Sequence, residues 1–225
     1  MADIAGTAGM LRIGGYMEAT TIAFVDSDPD TLTDTGNGFL LAGFVAGDTI
    51  TVSGSTSNDG DYLIDTVVAG AITLDAGESL TAESAGDYVT IKGKAPGHTT
   101  YGIKDWGLTY NGEVVDISTY DTVQANTNNE RDFIGTVTGW TLTAGGYYDT
   151  GETAEEDFVG RPRYFYIFPK YVASPAGGDP AYYYHGMGYI TGVNPDSAVD
   201  TVVNYPITIQ GSGALSALVT KSDAW

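Results

Sequence analysis

Apolar and polar residues alternate with a period of two in run after run of this chain, and glycines close many of the runs. Gly47-Asp48-Thr49-Ile50-Thr51-Val52-Ser53-Gly54 and Gly86-Asp87-Tyr88-Val89-Thr90-Ile91-Lys92-Gly93 follow one pattern, G-D-x-[IV]-T-[IV]-x-G. A period of two puts every second side chain on one face of a strand, whereas a helix needs a period near 3.6. Similar runs occupy residues 21–25, 61–68 and 71–74, with turn residues at Ser57-Asn58-Asp59-Gly60 and Asp75-Ala76-Gly77. In 203–211, Val203, Tyr205, Ile207 and Ile209 alternate with Asn204, Pro206, Thr208 and Gln210. Pro206 donates no backbone hydrogen bond, so that strand is expected at a sheet edge or with a bulge. The chain reads as all-β.

Two local signals refine this. Asn111-Gly112 lies between alternating runs and predicts a two-residue hairpin that pairs Leu108 with Val115 and Trp106 with Ile117. Thr153-Ala154-Glu155-Glu156, followed by Phe158 and Val159, is a capping box and predicts one short helix, stopped by Gly160 and Pro162. Residues 163–168 and 182–190 are aromatic on both faces, which implies that the second face is covered, either by the short helix or by a neighbouring subunit. In the second run, Gly186 and Gly188 mark places where backbone approaches closely.

Composition divides the chain. Of its tyrosines only Tyr16, Tyr62 and Tyr88 precede residue 95, and from 20 to 93 the sole cation is Lys92. We therefore expect a discontinuous β domain over residues 1–19 and 94–225, interrupted by a small all-β domain at 20–93. The ends of that insert, 22–24 and 89–91, are expected side by side, which lets a module enter a host loop at low cost.

Lys and Arg number 9 against 29 Asp and Glu, a net charge of −20. That balance repels phosphate and opposes gripping nucleic acid by counterion release. With Cys 0, disulfides, thiolate catalysis and cysteine-held zinc are excluded. The opening MADIAGTAGM has neither the basic nor the apolar part of a secretion signal, so none is expected. No apolar run approaches ~18 residues, so membrane insertion by a helix is not expected.

Catalytic patterns are missing from the sequence. His98 and His185 are far apart, and Ser212 in Gly211-Ser212-Gly213 lacks the G-x-S-x-G context of a nucleophile. Asp26-Ser27-Asp28-Pro29-Asp30 with Asp34 looks like a calcium loop but has Thr31 where glycine and Asn37 where glutamate belong. Neither enzyme nor cofactor is expected.

A family resemblance rests on order and spacing. Trp106-Gly107-Leu108, then Asn111-Gly112-Glu113-Val114-Val115-Asp116-Ile117-Ser118, Gly139-Trp140-Thr141-Leu142 and Gly146-Tyr147-Tyr148-Asp149 resemble the major tail tube proteins of long-tailed bacteriophages. The closing Tyr184-His185-Gly186-Met187-Gly188-Tyr189-Ile190-Thr191 and Gly211-Ser212-Gly213-Ala214-Leu215, and the opening 5–15, are similar to the same family. The resemblance covers about residues 1–17 and 97–220, and residues 20–93 depart from it.

That resemblance implies a β-sandwich with a flanking helix, whose inner sheets join between subunits into a barrel. Six copies form a ring, and rings stack into a virion tail tube, built in the host cytoplasm, that conducts the genome without binding it. Implied partners are further copies of the chain and tape-measure, tail-tip and tail-terminator proteins. The insert is expected outside the tube and carboxylates along the bore. The polar segment 120–130 with the residues after it suggests subunit or ring contacts at Tyr120, Thr122, Gln124, Asn126, Asn128, Arg131 and Asp132, and the edge strand adds Tyr205. The alternative reading is a cell-surface or virion adhesin or carbohydrate-binding module, resting on the tyrosines and the acidic turn.

Overall fold

The computed structural model describes residues 9–94, 101–116, 133–147, 159–168, 182–194 and 204–220. Over these residues the chain is all-β, with one short helix and two antiparallel sheets. The first sheet closes within a single chain into a six-stranded barrel. Its strands, in order around the barrel, are β1 (Gly9–Gly14), β11 (Pro162–Phe168), β12 (Tyr182–Val193), β13 (Asn204–Thr220), β10 (Phe133–Tyr147) and β9 (Tyr101–Asp116). Leu11, Ile13, Trp140, Leu142, Phe165, Ile167, Ile190, Ile207 and Ile209 fill it.

The second sheet has seven strands in the order β2 (Tyr16–Ala19), β8 (Val89–Lys94), β5 (Thr49–Ser53), β6 (Gly60–Val68), β7 (Ala71–Leu74), β4 (Thr31–Asp34) and β3 (Ile22–Val25). The two copies of the repeated pattern become neighbours, with Val52 opposite Ile91 and Ile50 opposite Gly93. Their apolar positions enter a core with Ile22, Phe24, Leu32, Phe39, Phe44, Ile64, Ile72 and Leu74. The last strand lies beside the first, but through β2 and not through 22–24: Met17 faces Ile91 and Ala19 faces Val89.

Turn residues in this sheet are held by carboxylates and an amide. Asp34 accepts bonds from the Thr21 hydroxyl (2.6 Å) and the amides of Gly36 (2.9 Å) and Gly38 (2.7 Å). Asn58, fully buried, accepts from the Thr81 amide at 2.7 Å and donates to the Thr81 carbonyl and to Glu83. The acidic stretch read as a possible calcium loop is part of this scaffold: Asp30 accepts from the backbone amides of Ser27 and Leu80, and 31–34 form a strand.

The helix, α1, spans Phe39–Ala42 and ends on Gly43, whose φ of 85° is open chiefly to glycine. Sequence gave no signal for so short a turn. In the helix expected from Thr153, residues 153–158 lie outside the described residues, and Val159 makes a parallel bridge to Ile190.

Asn111-Gly112 does not turn. β9 runs through it and pairs with β10, placing Tyr110 opposite Trp140, Leu108 opposite Leu142 and Trp106 opposite Ala144, while Val115 faces Ile134. A two-residue turn is a local preference, and here an extended ladder plus burial of Leu108 beside the barrel core outweighs it. Pro206 likewise does not mark an edge, since β13 lies between β10 and β12. The last β12 pair is Val193 with Ile207, so Pro206 sits just beyond it and only its carbonyl is used, by the Asn194 amide at 3.1 Å.

Candidate functional site

The feature that sets this fold apart is the length of four strands. β9, β10, β12 and β13 are 16, 15, 12 and 17 residues long. β1 reaches only Tyr101–Ile103 of β9, so from there to Asp116 the described pairing of β9 is to β10 alone. β13 contacts β10 from Thr141 to Tyr147, so among the described residues Phe133–Trp140 pair only with β9. Beyond Gln210, β13 continues with β12 alone. Two ribbons therefore extend past the closed barrel, each with a row of backbone donors and acceptors that no described strand meets. Such edges are sites for a further strand.

Trp140 stands where the ribbons part. Its ring is fully buried and packs against the backbone of β12 and β13 at glycines. A Cβ on Gly211 would lie 2.1 Å from the ring, and one on Gly186 3.2 Å from it. The close approach expected at Gly186 has this physical cause. At Gly188, where a Cβ would fall 2.8 Å from the Gln210 carbonyl oxygen, the neighbouring strand is the reason.

The two sheets meet at a tight joint. Gly14 and Gly93 touch so closely that a Cβ on Gly14 would stand 2.5 Å from the Gly93 oxygen. The Gly93 amide donates to the Gly15 carbonyl at 2.7 Å, and the Tyr166 hydroxyl donates to the Gly93 carbonyl at 2.9 Å. Arg163, wholly buried, donates to the Leu41 carbonyl of α1 at 3.1 Å, and burial pulls its pKa down to about 10. Tyr16 stacks on Tyr164 with centroids 6.3 Å apart, and the Lys92 ammonium lies 5.4 Å from the centre of the Tyr164 ring.

This joint explains the aromatic second face of β11 and β12. Tyr16, Tyr164, Tyr166, Phe168 and Tyr183 form one buried cluster with Met187 against it. The Tyr164 hydroxyl and His185 Nδ1 are 2.7 Å apart. Burial, then Lys92, lowers the His185 pKa, so the ring is neutral near pH 7, while burial pushes Tyr164 up to about 12. A covered second face was legible in the sequence, but its expected cover was the short helix or a neighbouring subunit, whereas Tyr16 and Lys92 of the seven-stranded sheet lie on it, far away in the chain.

Of the expected contact residues, Tyr120, Thr122, Gln124, Asn126, Asn128, Arg131 and Asp132 lie outside the described residues. The segment that carries them joins Asp116 to Phe133, which face each other across the β9–β10 ribbon. Tyr205 is on β13 opposite Gly146, two residues past the last pair with β12, Val193 with Ile207. Among the described residues no three His, Asp or Glu side chains gather as a metal site, and no helix is long and apolar enough to cross a membrane.

No protein-family model matches the chain, and no curated protein matches it. Among solved structures it is similar to a chain in the tail of an empty gene transfer agent particle determined with C6 symmetry. That match has 18% identity and a TM-score of 0.39, and covers 52% of this chain and 82% of the other. A chain in the virion of a native gene transfer agent particle is similar over 51% of this chain and 83% of its own, with 18% identity and a TM-score of 0.37.

Proposed function

We propose that this chain is a structural subunit of a bacteriophage-type virion tail tube. Copies join edge to edge into hexameric rings that stack around a bore for the genome. The observation that carries the reading is the pair of ribbons, β9–β10 and β12–β13, running beyond the barrel with edges that no described strand pairs. Strands added from neighbouring copies complete those edges and turn a row of ribbons into a continuous wall. The order of motifs that resembles tail tube proteins falls on these same strands. A net charge of −20 keeps the free subunit soluble and away from phosphate.

In this reading the 116–133 connection, with Tyr120, Thr122, Gln124, Asn126, Asn128, Arg131 and Asp132, reaches a neighbouring subunit or ring. Residues 20–93 are an inserted module on the tube exterior. Tape-measure, tail-tip and tail-terminator proteins are the partners, and the tail of the virion is the location.

Electron microscopy of concentrated protein, alone and with its tail-tip initiator, tests this. Stacked rings with sixfold symmetry are expected, and protein that stays monomeric in both conditions overturns the reading. Removing residues 124–129 is expected to stop tube growth and leave the monomer folded.

A further inference from the structure

Two strands that pair inside the barrel part company while both go on. The β10–β13 ladder ends with Thr141 opposite Gln210, yet β10 reaches back to Phe133 and β13 forward to Thr220. Side chains mark the point of parting. The Gln210 amide nitrogen donates to the Trp140 carbonyl of β10 at 3.1 Å and to the Gly211 carbonyl of its own strand at 3.4 Å. The Thr141 hydroxyl donates to Gln210 Oε1 at 3.2 Å. One side chain thus clasps both strands at the apex of a fork. On the barrel side the Trp140 ring wedges against Gly211 and Gly186, where no methyl group would fit without displacing it. Between the pairs Met187–Ser212 and His185–Ser216, β13 then advances four residues while β12 advances two, and Gly213 has a φ of 73°. Such an irregularity bends the strand that carries the extra residues. The wedge has a cost, since Trp140 Nε1 is buried with no hydrogen-bond partner among the described residues. Proteins keep costs of this kind chiefly where function needs the shape.

The two edges that the fork leaves open are uncharged. Residues 133–140 and 211–220 contain no Asp, Glu, Lys, Arg or Pro, in a chain whose net charge is −20. The open edge of β9 differs, with Lys104, Asp105, Glu113 and Asp116 along its sequence. Sheet edges that must stay single are guarded by charge, lysine above all, or by proline. The edges of the fork carry neither guard. Two copies of so acidic a chain meet with least repulsion where neither bears charge, so a second copy is the partner these edges suit. Continued past Trp140 within one chain, the ladder would spend each edge on the other.

Resting on the tube reading, we propose that Gln210, Trp140 and Gly213 are positioning residues for assembly. They hold the 133–140 edge of β10 and the 211–220 edge of β13 apart in one chain, so that the first edge of one copy receives the second edge of the next. Such a contact is heterologous, because each copy offers one surface and receives on another. A series of them closes into a ring when the rotation between copies permits. The clasp also fixes where the shared ladder begins, at the rung beyond Thr141 and Gln210.

Hydrogen exchange and electron microscopy together test this. In native protein the amides of 133–140 and 211–220 are expected to gain protection when tubes form. Tubes without that gain overturn the pairing of these edges and leave the tube standing. The Gln210→Ala monomer is expected to exchange about tenfold faster over 139–142 and 209–212, the effect of losing one or two hydrogen bonds. It is also expected to form tubes slowly or not at all. Unchanged exchange overturns the clasp, and faster exchange with native tube growth overturns its part in assembly. Thr138→Lys adds a guard charge to the β10 edge without touching the clasp, and carries the test if Gln210→Ala does not fold. Its monomer is expected to melt as the native chain does and to form no tubes, and normal tubes overturn the proposal. If native protein itself forms no tubes, the tube reading fails and the proposal with it.

Discussion

The Tyr166 hydroxyl, on the barrel, donates a 2.9 Å hydrogen bond to the carbonyl oxygen of Gly93, on the seven-stranded sheet. Both residues are buried, so water cannot replace either partner. Tyr166→Phe keeps the ring in the aromatic cluster and orphans the carbonyl. A loss of about 1–3 kcal/mol is expected from the unsatisfied group. Urea denaturation measures it, and an unchanged midpoint would show that the bond contributes nothing to the joint.

Gly211 faces the Trp140 ring with no room for a methyl group. Trp140 is fully buried and cannot move aside without opening the barrel core. Gly211→Ala is expected to cost at least about 1–3 kcal/mol by overpacking. Gly107→Ala, where the nearest atom is the Thr143 hydroxyl at 3.3 Å, serves as the tolerated control. Thermal melts of the two variants should separate clearly.

Asp48 is buried, its Oδ1 has no hydrogen-bond partner, and burial raises its pKa from 3.8 to about 7. Between those values the folded chain holds a proton that the unfolded chain has released. Its contribution to stability is therefore intact below the lower value and falls as pH rises toward the upper one, by roughly 2–4 kcal/mol in all. Asp48→Asn removes the titration. Denaturation at pH 4 and pH 8 is expected to show the variant gaining on the native chain at the higher pH, and parallel curves would count against it.

Asn58 bridges two turns of the seven-stranded sheet through Thr81 and Glu83. Asn58→Ala leaves the Thr81 amide without its acceptor, and a destabilisation of about 1–3 kcal/mol is expected. Hydrogen exchange is the apt probe, with the Thr81 amide losing protection before the strand amides do.

His185 titrates in the opposite sense from Asp48. Its pKa is lowered in the folded chain, so below the ordinary value near 6.5 the unfolded chain binds the proton more readily and stability falls as pH falls. His185→Gln is expected to shrink this acid-side loss. Melting curves between pH 5 and pH 7 read it directly.

Sequence periodicity located β7 residue for residue and most of β5, β6, β8 and β11, because alternation and glycine punctuation report on burial over a few residues. It failed where a distant partner decides. Asn111-Gly112 carries a strong turn preference, yet the strand opposite, 133–147, makes extension the better use of those residues. Pro206 reads as marking an edge strand until β13 is seen to lie between β10 and β12, with Pro206 just past the point where β12 stops pairing. Thr31–Asp34 was hidden beside an acidic run that reads as a turn, and Asp34 in fact holds the turn that follows the strand. The ribbons were half legible: their residues carried the resemblance, but how far β13 runs past β10 is set by distant pairing, which no local pattern records.

The chain leaves the barrel at Gly14, enters β2, and returns through β8 to Gly93, which touches Gly14. Departure and return thus occupy a single doorway. A longer, shorter or exchanged cargo between them leaves β1 and β9 in the same register. Through this junction the seven-stranded sheet can be altered while the barrel stays as it is.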